Sequence, residues 1–157
     1  MKKTILLLIA GLGIISCNEN PKKDIAVIEK IESVASADKE REGVFIHITE
    51  SYNEPHRVLM PLKMAVMMAN DKDVLVYMDI HAVELLVKDA KDLNYSDFDS
   101  FQSYIKQLGD KNVGVYACPS CLKIAGFEPE DLMDGVQVAQ KDKFFNFTKG
   151  RIISLDY

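Results

Sequence analysis

The chain has no surplus of positive charge: 19 Lys and Arg stand against 24 Asp and Glu, a formal charge of −5. A basic footprint is missing, which excludes a nucleic-acid partner held by its phosphate charge. There is no internal repeat, no low-complexity tract and no glycine-rich phosphate loop, which excludes repeat architectures and phosphate-cradling turns. The apolar stretch from Ile5 to Ile15 is broken by Gly11 and Gly13 and is too short to span a bilayer as a permanent anchor. A second CxxC is also lacking, so cysteine alone cannot complete a four-ligand zinc site. What remains is 157 residues, 48% hydrophobic and 27% charged, the balance of one ordinary globular domain.

The amino terminus carries Lys2-Lys3, then the apolar stretch, then Ile14-Ile15-Ser16-Cys17. This order resembles the signal and lipobox of bacterial lipoproteins. The resemblance implies that residues 1–16 are a signal peptide cut before Cys17, whose thiol carries a diacylglycerol. Two or more acyl chains make a stable membrane anchor where a single chain is marginal. Losing Lys2 and Lys3 takes the formal charge from −5 to −7. The expected location is extracytoplasmic, anchored at a membrane facing the periplasm, and Asn18 favours the outer membrane. Residues 17–42 then read as the lipidated Cys17 and a flexible tether, rich in Lys, Glu, Asp, Asn and Ser. Ile25, Ile28, Ile31 and Val34 stand there at nearly helical spacing.

The folded domain is expected over residues 43–157. Val44 to Ile48 is rich in β-branched residues and predicts a strand. A helix follows to about Asn70, with Asn53 as its N-cap, Pro55 in its first turn, and a kink or restart near Met60 forced by Pro61. Val74 to Met78 predicts a second strand. His81 to Ala90 fits either a short helix or a strand, and Phe98, Phe101, Ile105 and Leu108 recur at helical spacing up to Gly109. Val113 to Ala117 is a third strand, and Lys123 to Gly126 ends a short helix. Gly135 to Ala139 predicts a fourth strand, Lys141 to Thr148 a helix, and Arg151 to Leu155 the last strand. Short apolar strands alternating with helices are the pattern of parallel strands buried on both faces. The expected fold is α/β, a three-layer doubly wound sandwich with a mainly parallel sheet of about five strands.

In such sheets chemistry gathers beyond the carboxyl ends of the strands, and the third strand runs straight into Cys118-Pro119-Ser120-Cys121. A cysteine that opens a helix faces the unpaired N–H groups of the first turn, which favour the thiolate. Pro119 falls where a missing N–H costs nothing. Cys121 returns to the same side after nearly one turn, so the pair can close a disulfide or hand a sulfur atom across. Three readings stay open: thiol chemistry, a structural disulfide, or half a metal site completed by His47, His56 or His81. A disulfide across so short a loop removes little unfolded-state entropy. Lys123, His81 and Asn53 are candidates for the pocket around the dithiol, His81 because it follows a strand end beside Asp79. His47, inside an apolar run, reads as a hydrogen-bonded core residue. Met60, Met64, Met67 and Met68 share one helical face, which reads as plastic core or subunit contact rather than a copper(I) site. Phe144, Phe145 and Phe147 cannot all share one helical face.

The stretch Val113-Gly-Val-Tyr-Ala-Cys118-Pro-Ser-Cys121-Leu-Lys-Ile-Ala-Gly126 resembles the active-cysteine segment of the DsrE/DsrF/TusD family of sulfur-relay proteins. Phe144 to Asp156 is similar to the carboxyl-terminal end of the same family. The resemblance implies that the strand-end cysteine eight residues before the glycine, here Cys118, accepts sulfur as a persulfide. It also implies a homo-oligomer, trimer or hexamer, and a sulfur donor or acceptor protein as partner; Cys121 is additional to the single relay cysteine. Neither the residues nor the resemblance calls for a cofactor. The leading expectation is a lipid-anchored protein handling sulfur, as a sulfur carrier or sulfurtransferase, or by thiol–disulfide exchange. The alternative is a non-catalytic module binding a small ligand, zinc or copper in the same pocket. A thioredoxin-like reductase fits poorly, because its dithiol follows an early strand and this one follows a late strand.

Overall fold

A computed structural model describes residues 40–157, and Glu40–Tyr157 forms one compact unit. The expected signal peptide, the expected lipidation site Cys17 and nearly all of the expected tether lie outside the described residues. The elements in chain order are β1 (Gly43–Ile48), α1 (Pro55–Met68), β2 (Asp73–Met78), a 3₁₀ segment (Ile80–Leu85) and α2 (Phe101–Asp110). There follow β3 (Gly114–Ala117), α3 (Pro119–Ala125), a 3₁₀ turn (Pro129–Asp131), β4 (Val136–Val138), α4 (Lys141–Phe145) and β5 (Ile152–Asp156). The five strands form one sheet in the order β4-β3-β2-β1-β5, and every pairing is parallel. Among the described residues no helix is long and apolar enough to cross a membrane.

Strand alternation divides the sheet into two unequal faces. Val44, Ile46 and Ile48 of β1 stand in register with Val74, Val76 and Met78 of β2, and Val76 and Met78 with Val115 and Ala117 of β3. All of these are buried, in a core shared with Val58, Leu59, Leu62 and Ala65 of α1 and Phe101, Tyr104, Ile105 and Leu108 of α2. The opposite face presents Phe45, His47 and Tyr77. Its outer layer is the five-residue α4, whose Phe144 meets the Phe45 and Tyr77 rings edge-on at 5.2 and 5.0 Å. The doubly wound sandwich is therefore present, with one thick helical layer and one thin one.

Several local expectations are corrected. Helix α1 starts at Pro55 with Glu54 at the N-cap and no side-chain cap. Asn53 instead accepts from the Ser51 N–H at 3.4 Å and donates to Glu50 at 3.2 Å, an alternative its short amide offers readily. The helix also runs through Pro61 without restarting. Proline removes one ladder bond, but Pro61 is itself buried within the stripe of Val58, Leu59, Leu62 and Ala65. That stripe takes the core-facing side, so Met60 and Met67 are exposed and Met64 is half-buried; of the four only Met68 packs against the core. The ambiguous His81–Ala90 stretch forms the 3₁₀ segment, and Val87 then bridges antiparallel to Leu132.

Phe98 lies ahead of α2, whose Ser100 cap accepts the Ser103 N–H, and Gly109 lies inside it, the left-handed turn falling at Asn112 (φ 57°). Helix α4 stops at Phe145 and does not reach Thr148. Gly126 closes α3 as expected, with φ 82° in the region glycine adopts without strain.

Candidate functional site

Cys118 sits one residue past β3, and its N–H donates to the Met78 carbonyl at 3.0 Å, the last rung between β2 and β3. It is the N-cap of α3, with extended backbone, and its Sγ accepts the Cys121 N–H at 3.3 Å. The sulfur thus does the work that an oxygen does in an ordinary cap. Both cysteines are free thiols and half-buried. Burial alone would push the Cys118 thiol up. Hydrogen bonds from the Cys121 thiol, the Tyr77 hydroxyl and the N–H groups of Cys121 and Ser120 outweigh it, and Cys118 lies below its ordinary value. Cys121 is pushed the opposite way, by its burial, by its hydrogen bond to Cys118, and by the Cys118 and Asp79 charges; an N–H from Ile80 pulls weakly against them. The surroundings therefore favour the thiolate at Cys118 over one at Cys121.

Tyr77 is the residue that sequence reasoning missed. Strand register pairs it with Tyr116, and Tyr116 and Cys118 alternate onto the same face, so the Tyr77 hydroxyl reaches the Cys118 sulfur. Burial and that hydrogen bond hold the phenol well above its usual range, as a firm proton donor. Its ring stacks on His47 at 5.5 Å. His47 in turn sits between two carboxylates, Asp79 Oδ1 at 3.0 Å from Nε2 and Asp156 Oδ1 at 3.1 Å from Nδ1. The signal for Tyr77 and Asp79 lay in the alternation of Val74–Met78, but the partner strand could not be read from it. Between Asp79 and the 3₁₀ segment, Ile80 adopts φ 48°. A β-branched residue there is strained by about 1–2 kcal/mol, and such strain gathers where a site needs an unusual backbone direction.

His81 and Asn53 come together, with Ser51, Tyr52 and Glu84, around a cavity of about 290 Å³. His81 is exposed there and lies 3.7 Å from Glu84. Lys123 lines a separate cavity of about 300 Å³ with Pro119, Leu122, Phe127 and Glu128. None of the three is among the groups acting on the Cys118 sulfur. His56 stacks on Tyr95 and Phe98 instead. Among the described residues no group of three or more His, Cys, Asp or Glu side chains is placed to hold a metal ion. A cavity of about 340 Å³ lies beside Tyr77, walled by Ala139, Gln140, Lys141, Phe144 and Phe145. A larger one, about 710 Å³, includes Asp73, Val74, Val113 and Gly114 in its lining, at the amino ends of β2 and β3 and so away from the dithiol.

The described residues thus form a parallel α/β sheet with a donor-ringed cysteine at the carboxyl end of β3. The model of the DsrE/DsrF-like family matches residues 42–150, and the chain belongs to that family. Among solved structures it is similar to the ychN protein from E. coli. Identity there is 18%, the match covers 74% of this chain and 99% of that one, and the TM-score is 0.60. At that identity the likeness shows the fold. It is also similar to a protein of unknown function, MTH1491, from Methanobacterium thermoautotrophicum, at 16% identity over 73% of this chain and 99% of that one. The TM-score is 0.48. A search among curated sequences found no match.

Replacing Tyr77 with Phe removes one hydrogen bond to the thiolate and raises the Cys118 pKa. Less thiolate is then present at pH 7, and alkylation of Cys118 there is expected to slow roughly three- to tenfold, the loss disappearing at alkaline pH. Iodoacetamide rates followed by peptide mass across pH check this; an unchanged rate at pH 7 would contradict the role given to Tyr77.

Proposed function

We propose that this protein is a lipid-anchored member of its family in which Cys118 takes up sulfur as a persulfide, or a thiol as a mixed disulfide, with Cys121 as the resolving thiol. The observation that carries the reading is the Cys118 sulfur at the β3 end, facing the Tyr77 hydroxyl and the N–H groups of Ser120 and Cys121. Those donors favour an anionic sulfur, and the terminal sulfur of a persulfide is anionic in the same way. Membership of the DsrE/DsrF-like family supports a sulfur-relay role. Anchoring through Cys17, with an extracytoplasmic location, rests on Lys2-Lys3 and Ile14-Ile15-Ser16-Cys17. Assembly as a homo-oligomer, and a sulfur donor or acceptor protein as partner, rest on the family resemblance. The thinly covered sheet face carries a half-buried Phe45 and, from α4, an exposed Phe145, apolar side chains of the kind that subunits cover.

With inorganic polysulfide as donor, Cys121→Ala is expected to accumulate an adduct of about 32 Da on Cys118 that a reductant removes. Cys118→Ser should take up none; an adduct that survives in Cys118→Ser would overturn the assignment of the nucleophile. For the anchor, Cys17→Ser expressed in a bacterium should leave the detergent phase and lose the mass of the acyl groups. Detergent partition unchanged by that substitution would remove the lipoprotein reading.

A further inference from the structure

The cavity of about 340 Å³ beside Tyr77 lies at the carboxyl end of the sheet, and the backbone ladder places it against the reactive cysteine. The Ala139 N–H donates to the Ala117 carbonyl at 2.9 Å, which carries the β3–β4 pairing one step past Val138. Ala139 therefore stands level with Cys118 across that pairing, about 5 Å away by the usual strand spacing. On the other side of β3, Tyr77 pairs with Tyr116, and the Cys118 N–H donates to the Met78 carbonyl at 3.0 Å. Alternation puts Tyr77, Tyr116, Cys118 and Ala139 on one face of the sheet. Tyr77 and Ala139 are two walls of the cavity, so it bridges β2 and β4 across the strand that ends at Cys118. The other walls are Gln140, Lys141, Phe144 and Phe145. Phe144 meets Tyr77 edge-on at 5.0 Å and Phe145 at 5.3 Å, and Phe145 is itself 64% exposed. Rings left in water beside a cavity gain free energy when an apolar group covers them. An empty apolar cavity of about 150 Å³ is large enough for benzene, so this one has room for a ring with a substituent. Among the described residues its lining holds one charged side chain, Lys141, and no acidic one, which favours an anion at that end.

We propose that this cavity receives the carbon part of the thiol that Cys118 takes up, and that the thiols it fits are small aromatic acids. The ring lies among Tyr77, Phe144 and Phe145, and the acid group points towards Lys141. This inference rests on the function proposed above and names the substrate class of its mixed-disulfide step. In that step the Cys118 thiolate attacks one sulfur of a small organic disulfide. A bond forms between Cys118 Sγ and that sulfur, and the original sulfur–sulfur bond breaks. Its electron pair leaves with the second sulfur, which departs as a thiolate. The disulfide is thus the oxidant, and the departing thiolate is its reduced product. The attacked sulfur keeps its organic group, and that group occupies the cavity.

The test uses the full chain carrying Cys121→Ala, so that an adduct on Cys118 is not resolved, and methanethiosulfonates that differ only in the group they transfer. Each delivers one sulfur with its organic group to Cys118 and releases methanesulfinate, so the leaving group is constant. Rates at Cys118 are followed by peptide mass and divided by the rate with free cysteine. The benzyl reagent is expected to label Cys118 about tenfold faster than the methyl reagent. The 4-carboxybenzyl reagent should be about threefold faster again, and the cationic trimethylammonium-ethyl reagent no faster than methyl. Phe144→Ala and Phe145→Ala should each bring the benzyl-to-methyl ratio down to about two or less, and Phe145, being exposed, can be truncated without opening the core. Lys141→Glu should abolish the advantage of the carboxylate. Equal benzyl and methyl rates would overturn the proposal, as would a benzyl preference that survives both phenylalanine substitutions. A carboxylate advantage that survives Lys141→Glu would overturn the assignment of an acid. If the phenylalanine substitutions lower the mass of the assembly in light scattering and leave the ratio unchanged, the face is a subunit contact and the proposal fails. No labelling of Cys118 by any of these reagents would instead overturn the function on which the inference rests.

Discussion

The Cys118 N–H bond to the Met78 carbonyl, at 3.0 Å, sets the level at which everything else at this site meets. It extends the β2–β3 ladder one rung beyond β3, so the cysteine is held as firmly as a strand residue while its sulfur is free of the sheet. The same rung aligns Tyr77 with Tyr116 and brings the tyrosine hydroxyl within reach of that sulfur. A slip of one residue would move Tyr77 and Cys118 to opposite faces. The slip is opposed by the core: Val76 and Met78 of β2, and Val115 and Ala117 of β3, would all leave the buried face with it.

The electrostatics then follow from capping. An ordinary N-cap supplies an oxygen to the first helical N–H groups; here a sulfur stands in that place, and those N–H groups repay it by stabilising its anion. Helix α3 has only seven residues, so its dipole is short. The specific donors from Ser120, Cys121 and Tyr77 carry more of the effect than the helix as a whole. Two cysteines in nearly the same surroundings are thus shifted in opposite directions, Cys118 towards the thiolate and Cys121 towards the thiol, because only one of them sits at the cap.

Much of this could be read along the chain. The apolar, largely β-branched runs named all five strands to within one residue at each end, and Gly126 marked the end of α3, where the backbone turns left-handed. The Cys118-to-Gly126 spacing carried the family. The failures have physical causes. Asn53 has the chemistry of a cap, but the competing bonds to Ser51 and Glu50 took it. The methionines share a helical face, yet Val58, Leu59, Leu62 and Ala65 form the neighbouring stripe that the sheet buries. Tyr77, Asp79, His47 and Asp156 could not be assembled from sequence at all. They come from β2, its carboxyl end, β1 and β5, and only the parallel order β3-β2-β1-β5 lines them up. His47 read as core, and its half-burial explains why; what the reading lacked was the pair of carboxylates on either side.

The central claim is that Cys118 holds the thiolate and Cys121 the proton. Limiting alkylation of the reduced protein at pH 7 with one equivalent of iodoacetamide, followed by peptide mass, tests it most directly. The expected result is label on Cys118 with little on Cys121. Equal label on the two cysteines, or label first on Cys121, would contradict the account.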